Sequence, residues 1–225
     1  MTQATLLTEI DGRGFAVLGG VFPPAAVEDI LRSLLATFDG PAGAGAAMRS
    51  EAGALYAARN VLSLWPAVAE VAAAPGLAQA LAAVLGSSYG LVRALYFDKP
   101  PGRTWALPWH KDLTVAVRDN RRPGGGFTKP TTKAGVPHAE GPRVVLETML
   151  TARVHLDDVT EENGPLKVVP GSHRTGKELR LGETPPETVL ARRGDVLLMR
   201  PLLAHSSGHS LPDTARHRRI LHLEF

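Results

Sequence analysis

In the run Trp109-His110-Lys111-Asp112 a histidine and a carboxylate stand two residues apart, with Ala106, Leu107 and Pro108 before and Leu113 and Val115 after. Successive side chains on a strand point to opposite faces, so His110 and Asp112 point the same way and can chelate one metal ion. Two protein ligands leave most of an octahedron open. A second histidine completes a two-histidine, one-carboxylate face, the donor set that suits non-haem Fe(II). A lone His-x-Asp is weak, because most such tripeptides are ordinary strand or surface residues. Its weight comes from the rest of the chain.

The elements that position this pair fall into two parts. The chain has 225 residues, 44% hydrophobic and 21% charged, which suits one soluble domain with a substantial core. It has no cysteine, so thiolate zinc sites, disulfides and a cysteine nucleophile are excluded. A net charge of +3 with only 5% aromatic residues argues against a nucleic-acid partner. No signal-peptide pattern or membrane-length apolar run is visible, and a cytoplasmic location is expected. Residues 1–89 read as mostly helical after a short strand at Gly14 to Leu18. Pro23 and Pro24 open a helix to about Phe38, and a second helical region from Pro66 to Leu85 breaks at Pro75-Gly76. Residues 90–225 read as short strands separated by Gly/Pro turns, at Leu91 to Asp98, around His110, and at Met149 to Leu156, Leu166 to Val169, Thr188 to Ala191, Val196 to Met199 and Arg218 to Phe225. This predicts a mainly β fold with flanking helices, a jelly roll, in a single domain over 1–225.

Between these strands, at about 118–147, lies a stretch without periodicity, expected as a lid loop. From Arg118 to Arg143 it holds Arg118, Arg121, Arg122, Lys129, Lys133 and Arg143 against Asp119 and Glu140. Solvated loop is the plain reading; a lid that greets an anionic substrate is the sharper one. After it come Asp157 to His173, which reads as a hairpin with Asn163-Gly164 and Pro170-Gly171 turns, then Arg193-Gly194-Asp195 leading into a buried strand, and His205-Ser206-Ser207 followed by Arg216, Arg218 and Arg219.

These motifs, in this order, resemble the phytanoyl-CoA dioxygenase-like branch of the Fe(II)/2-oxoglutarate-dependent dioxygenases. The resemblance covers the chain from about Gly90 onward. It implies a double-stranded β-helix, cupin-like, with iron held by His110, Asp112 and His205. It also implies 2-oxoglutarate and O2 as co-substrates, with ascorbate keeping the iron reduced. The far carboxylate of 2-oxoglutarate calls for an arginine fork, and two residues compete. Arg216 lies 11 residues after His205, the family's spacing; Arg218 lies seven before Phe225, matching the aromatic that ends the family's last strand. A strand tolerates insertion badly and the preceding loop tolerates it well, which favours Arg218. The resemblance also implies Ser207, two residues after the distal histidine, as a second contact for the same carboxylate. Because Asp112 keeps its carboxylate, where halogenating relatives have a small residue, hydroxylation is the expected reaction.

The expected product set is a hydroxylated small molecule, succinate and CO2. The rivals are a non-catalytic jelly-roll binding module and a cupin-type metalloenzyme that does not use 2-oxoglutarate. Other residues receive structural readings: His155 and His222 as strand residues in core or supporting roles, His173 in its turn, His138, His209 and His217 in loops, Trp105 and Trp109 as packing, and Lys99 as a solvated turn residue with an anion contact as the alternative. No membrane partner is expected, and the motifs do not specify the oligomeric state.

Overall fold

The computed structural model describes residues 1–51, 53–121 and 124–225. Arg122 and Pro123 of the expected lid lie outside these. The chain runs α1 (Gln3–Gly12), β1 (Phe15–Leu18), α2 (Pro24–Asp39), β2 (Ala47–Arg49), β3 (Leu55–Ala58), α3 (Val61–Leu64), α4 (Val68–Ala72), α5 (Pro75–Leu85) and β4 (Arg93–Phe97). It continues through β5 (Leu107–His110), β6 (Thr114–Ala116), β7 (Thr128–Lys133), β8 (Val136–Glu140), α6 (Arg143–Thr148) and β9 (Thr151–His155). The last strands are β10 (Leu166–Val168), β11 (Glu187–Val189), β12 (Val196–Met199), β13 (His205–Ser207) and β14 (Ile220–Glu224).

The strands form a large sheet in the order β1-β12-β9-β14-β4-β3-β2, a small sheet β11-β10-β13-β5 and a three-stranded sheet β6-β8-β7, with every pairing antiparallel. The large and small sheets make the double-stranded β-helix. Period-two alternation divides the large sheet into two faces. One face presents Ala94, Tyr96, Ala152, Val154, Val196, Leu198, Leu221 and Leu223 to the helices, where Ile10, Val27, Leu34, Leu77 and Leu81 complete the main core. The other face is split. At the β12 end Leu197 and Met199 meet Leu166, Val168 and Leu203 in a dry core between the sheets. Across β9, β14 and β4 the same face carries Arg153, His155, His222, Glu224 and Arg93. Buried polar groups on this scale require partners, and they floor the site.

Four expectations need correction. Besides the expected strand β1, which pairs with β12, the N-terminal part contains two unexpected strands: β3 joins the large sheet through Ala57 and Ala58 against Phe97 and Tyr96 of β4, and β2 pairs with β3. The 118–147 stretch is not loop throughout; it forms the β7–β8 hairpin, paired to β6, and then α6. The Asp157 to His173 segment is not a hairpin, since β9 belongs to the large sheet and β10 to the small one, so the segment crosses between sheets. His138 is not a loop residue: it lies in β8 and is buried.

Candidate metal and co-substrate site

His110 ends β5 and His205 begins β13, and the two are direct cross-strand partners with ring centroids 4.2 Å apart. Asp112 follows β5, its backbone N–H held by the Pro201 carbonyl at 2.9 Å. Its carboxylate oxygens lie 3.8 Å from His110 Nε2 and 3.6 Å from His205 Nε2. One ligand atom from each of the three residues falls within 4.8 Å of the others. Both imidazoles are oriented by their second nitrogen: His110 Nδ1 lies 2.8 Å from the Pro108 carbonyl and His205 Nδ1 lies 2.9 Å from the Leu203 carbonyl. Each Nδ1 therefore donates, which leaves Nε2 as the free lone pair facing the carboxylate. Burial first, only partly offset by the Asp112 charge, holds His205 down to about 4, so it is neutral. Burial raises the Asp112 carboxyl, but His205, His222, His110 and Arg153 outweigh it and hold it at about 2, so it is ionised. Two imidazoles and one carboxylate on one face suit Fe(II) and leave room for further ligands.

The flanking motifs hold this geometry. Lys111 points the opposite way from its neighbours and donates to the Ser172 carbonyl at 2.8 Å, the Gly176 carbonyl at 2.7 Å and Thr175 Oγ1 at 2.8 Å. Ser172 Oγ donates to the Val169 carbonyl at 2.6 Å and accepts the Ala204 N–H at 2.8 Å, fixing the residue before His205. In the Arg193-Gly194-Asp195 turn, Asp195 accepts N–H groups of Gly20 and Arg192 at 2.8 and 2.7 Å. Gly194 sits at φ +89°, and a Cβ there would lie 2.0 Å from the Phe22 carbonyl oxygen. These are positioning features of the turns, away from the chemistry.

Arg218 lies just before β14 and is 2% exposed. Its Nη1 donates to the Gly164 carbonyl at 2.8 Å, while its Nε has no partner. Among the described residues no carboxylate lies within ion-pairing distance of it, and burial, then the Arg153 charge, lowers it to about 9. Arg216 points outward, with its side chain 54% exposed and its Nε 3.3 Å from Glu162. Ser207 Oγ lies 3.2 Å from Lys99 Nζ. Lys99 overturns the solvated-turn reading: it is fully buried, and its ammonium also donates to the Gly208 carbonyl and, at 3.3 Å, to Gly164. Trp105 walls this pocket, with Lys99 Nζ 4.9 Å and the Arg218 guanidinium 5.9 Å from its ring. Asn163 and Gly164 shape the opposite side. Asn163 donates to the Asp158 and His217 carbonyls at 2.8 and 3.0 Å; Gly164 has φ +67°, and a Cβ there would meet the Gly208 carbonyl at 2.6 Å and Lys99 Nζ at 2.9 Å. A buried guanidinium and a buried amine converge here with no carboxylate within ion-pairing distance among the described residues, which fits the far carboxylate of a dicarboxylate.

Arg153 was not singled out by sequence. It is buried on β9, its Nη1 is 3.3 Å from His222 Nδ1, and its charge acts on Asp112. His222 Nε2 reaches Glu224 at 3.1 Å, and Glu224 pairs with Arg93. This chain joins β9 to β14 at the Arg153–His222 rung, steps along β14 to Glu224 and crosses to β4 at the Glu224–Arg93 rung. His217 pairs with Asp98 at 2.8 Å and His155 Nδ1 sits 3.3 Å from the Asp195 carbonyl, so neither belongs to the metal cluster. Trp109 alternates away from His110 and faces the outside of the small sheet beside Lys167 and Thr188.

Residues 10–218 match the family model described as Phytanoyl-CoA dioxygenase (PhyH). Among solved structures, EctD from S. alaskensis with bound Fe is 20% identical with a TM-score of 0.75, over all of this chain and 76% of that one. AviO1 from Streptomyces viridochromogenes Tue57 is 23% identical with a TM-score of 0.70, over 99% of this chain and 94% of that one. EvdMO1 is 23% identical with a TM-score of 0.70, over 99% of this chain and 49% of that one, so this chain spans about half the length of EvdMO1. The sequence matches none of the curated proteins it was compared with. At these identities the likeness to solved structures speaks for the fold, and the family match covers most of the sequence. The chain belongs to the phytanoyl-CoA dioxygenase family of Fe(II)/2-oxoglutarate-dependent oxygenases.

Proposed function

We propose that this protein hydroxylates a small molecule at an Fe(II) centre held by His110, Asp112 and His205, with 2-oxoglutarate as co-substrate. The observation that carries the reading is the pairing of a three-ligand facial set with a buried, anion-free arginine and lysine on the adjoining wall. Iron, 2-oxoglutarate and O2 together supply the oxidising power, releasing succinate and CO2 as an oxygen atom enters a C–H bond. The chain's own residues do the rest. His110 and His205 present Nε2 because their Nδ1 protons are spent on backbone carbonyls. Arg218 binds and orients the far carboxylate of 2-oxoglutarate, and Lys99, its Nζ held by the Gly164 and Gly208 carbonyls and Ser207 Oγ, sits behind it and takes up a proton as the carboxylate arrives. Trp105 keeps water from that end of the pocket. Arg216, exposed and paired with Glu162, is left a surface role. EctD from S. alaskensis has been solved with 2-oxoglutarate and 5-hydroxyectoine, and the same co-substrate is proposed here on the fit of Arg218 and Lys99.

The test is succinate formation by the purified protein with Fe(II), ascorbate and 2-oxoglutarate. 2-Oxoglutarate binding is followed anaerobically in the same samples. Succinate is expected from the wild type and not from His110→Ala. Intact anaerobic binding without succinate points to a missing substrate. Absence of both would sink the reading in favour of a non-catalytic module or a cupin-type enzyme.

A further inference from the structure

The basic residues of the 118–147 stretch do not behave alike. Arg121 pairs with Asp119, Lys129 with Glu140 and Arg143 with Glu147, all on the surface. Lys133, at the end of β7, is different. It is half-buried and turns into a cleft that it lines with Arg59, Asn60, Arg93 and His138. Among the described residues neither Lys133 nor Arg59 has a carboxylate within ion-pairing distance, whereas Arg93 is bonded through two nitrogens to Glu224. Two uncompensated cations therefore share one partly desolvated space of about 60 Å³. By that measure a water takes about 10–15 Å³, so a carboxylate or phosphate group has room there.

Three further observations make the cleft a built one. Burial comes first in lowering both cations, and each is then opposed by neighbouring positive charge, Arg59 by Arg93, and Lys133 by Arg93 and Arg59. Glu224 and Asp112 pull Lys133 the other way without pairing with it, so an anion entering the cleft would add to that stabilisation. His138 is 3% exposed, and its Nδ1 is engaged 2.9 Å from the Val136 carbonyl, which puts the proton there. Its Nε2 is a buried acceptor without a partner, in the lining of the same cleft. The wall that carries Lys133 is anchored: Asn60 Nδ2 donates to the Ala134 carbonyl at 2.8 Å, tying the β7–β8 turn to the start of α3. The cleft also adjoins the polar face that floors the site: Arg93 and Leu95 of β4 line it, and Arg93 connects through Glu224 and His222 to Arg153.

We propose that this cleft is the substrate-recognition site, in which Arg59 and Lys133 bind a carboxylate or phosphate group and thereby direct the rest of the molecule toward the His110–Asp112–His205 face. Calling the ligand a substrate rests on the oxygenase reading; anion binding does not. The test therefore uses binding without turnover. Hexanoate, hexyl phosphate and, as the uncharged control, hexanol are titrated calorimetrically into the anaerobic protein holding Fe(II) and saturating 2-oxoglutarate, which occupies the Arg218 pocket.

At least one anion is expected to bind and hexanol is not. Comparing the two anions identifies the preferred head group. Lys133→Met and Arg59→Met should each weaken that binding about tenfold or more, the scale of one charge-assisted contact. Affinity for 2-oxoglutarate should not move, and Lys129→Met, on the surface, should match the wild type. Failure of both anions to bind the wild type, or equal binding in the Lys133 and Arg59 variants, overturns the proposal. If the anions bind as expected but 2-oxoglutarate does not, the cleft stands and the oxygenase reading falls.

Discussion

Replacing Arg218 by methionine separates co-substrate binding from folding, because the structure assigns the two opposite signs. The guanidinium is 2% exposed, makes one hydrogen bond to the Gly164 carbonyl and leaves Nε unpartnered. Without co-substrate, folding desolvates a cation that meets no anion. Its value, lowered to about 9 by burial and then by Arg153, expresses that cost. Methionine is unbranched and nearly as long, so Arg218→Met removes the desolvation cost while filling most of the space. The apo variant should melt at or above the wild-type temperature. Co-substrate linkage should go the other way. At 100 times Kd, 2-oxoglutarate stabilises the wild type by about 2.7 kcal/mol, or roughly 5–10 °C for a chain of this size. Truncating one partner of a buried charged contact costs about 2–5 kcal/mol, so the variant should lose most or all of that rise. The assay is anaerobic thermal unfolding with Fe(II), with and without 2-oxoglutarate. A variant that keeps the full co-substrate rise refutes the assignment and shifts it to Lys99 or Arg153. A variant that loses several kcal/mol in the apo form shows instead that Arg218 props Gly164 structurally. Arg216→Ala, on the surface, should change neither number by more than about 0.5 kcal/mol.

Lys99 gives a pH signature. Burial, then Arg218 and Arg153, lowers it from 10.5 to about 6, so between those values the unfolded chain binds the extra proton and stability rises with pH. Lys99→Met should flatten that rise, seen in denaturant midpoints taken across the window. A carboxylate arriving beside Lys99 restores its proton, so calorimetry of 2-oxoglutarate binding near pH 7.5 in buffers of different ionisation enthalpy should register proton uptake, and no buffer dependence would count against the contact. Gly194→Ala places a Cβ 2.0 Å from the Phe22 carbonyl oxygen at φ +89° and should destabilise by about 2–3 kcal/mol or more, read as a fall in Tm with iron binding retained in the folded fraction. Asn60→Ala frees the β7–β8 turn from α3 at a cost of about 1 kcal/mol, and limited proteolysis should cut the hairpin faster while global Tm barely moves.

The fold was most legible where one face of a strand is apolar and the other is not. In β9 and β14 the alternation of Ala152 and Val154, and of Leu221 and Leu223, with polar residues marks both the strands and the side that faces the helices. β7 failed for the opposite reason. Its sequence Thr-Lys-Pro-Thr-Thr-Lys is exposed almost throughout, so neither face imprints a period, and backbone pairing with β8 places it. The hairpin reading of 157–173 failed differently. Strand, turn and strand are all present, but local pattern does not specify that β10 pairs with β11 and β13 rather than with β9. The crossing is set by Asn163, which binds carbonyls of Asp158 and His217 and so ties the turn to the distant strand entry at β14.

Within the site, legibility follows how each residue is constrained. His110 and Asp112 are joined by strand spacing, and His205 by direct register with His110, so three residue types and one sheet pairing suffice to bring them together. Lys99 carries no such mark. Asp98-Lys99-Pro100-Pro101-Gly102 is a turn sequence, and turn lysines are normally solvated. What buries this one is tertiary: the Gly164 and Gly208 carbonyls converge on its ammonium, and Gly164 lacks the Cβ that would collide with it. Arg59 follows β3 and Lys133 ends β7, far apart in sequence, and each alone is an ordinary basic residue. Their meaning is a property of the pair, a desolvated space holding positive charge without its counter-ion. Because burying unpaired charge costs stability, it is retained where a ligand supplies the missing half. On the proposed readings, the pairs Arg218 with Lys99 and Arg59 with Lys133, none of which has a carboxylate within ion-pairing distance among the described residues, are the two places that would take a binding partner's negative charge.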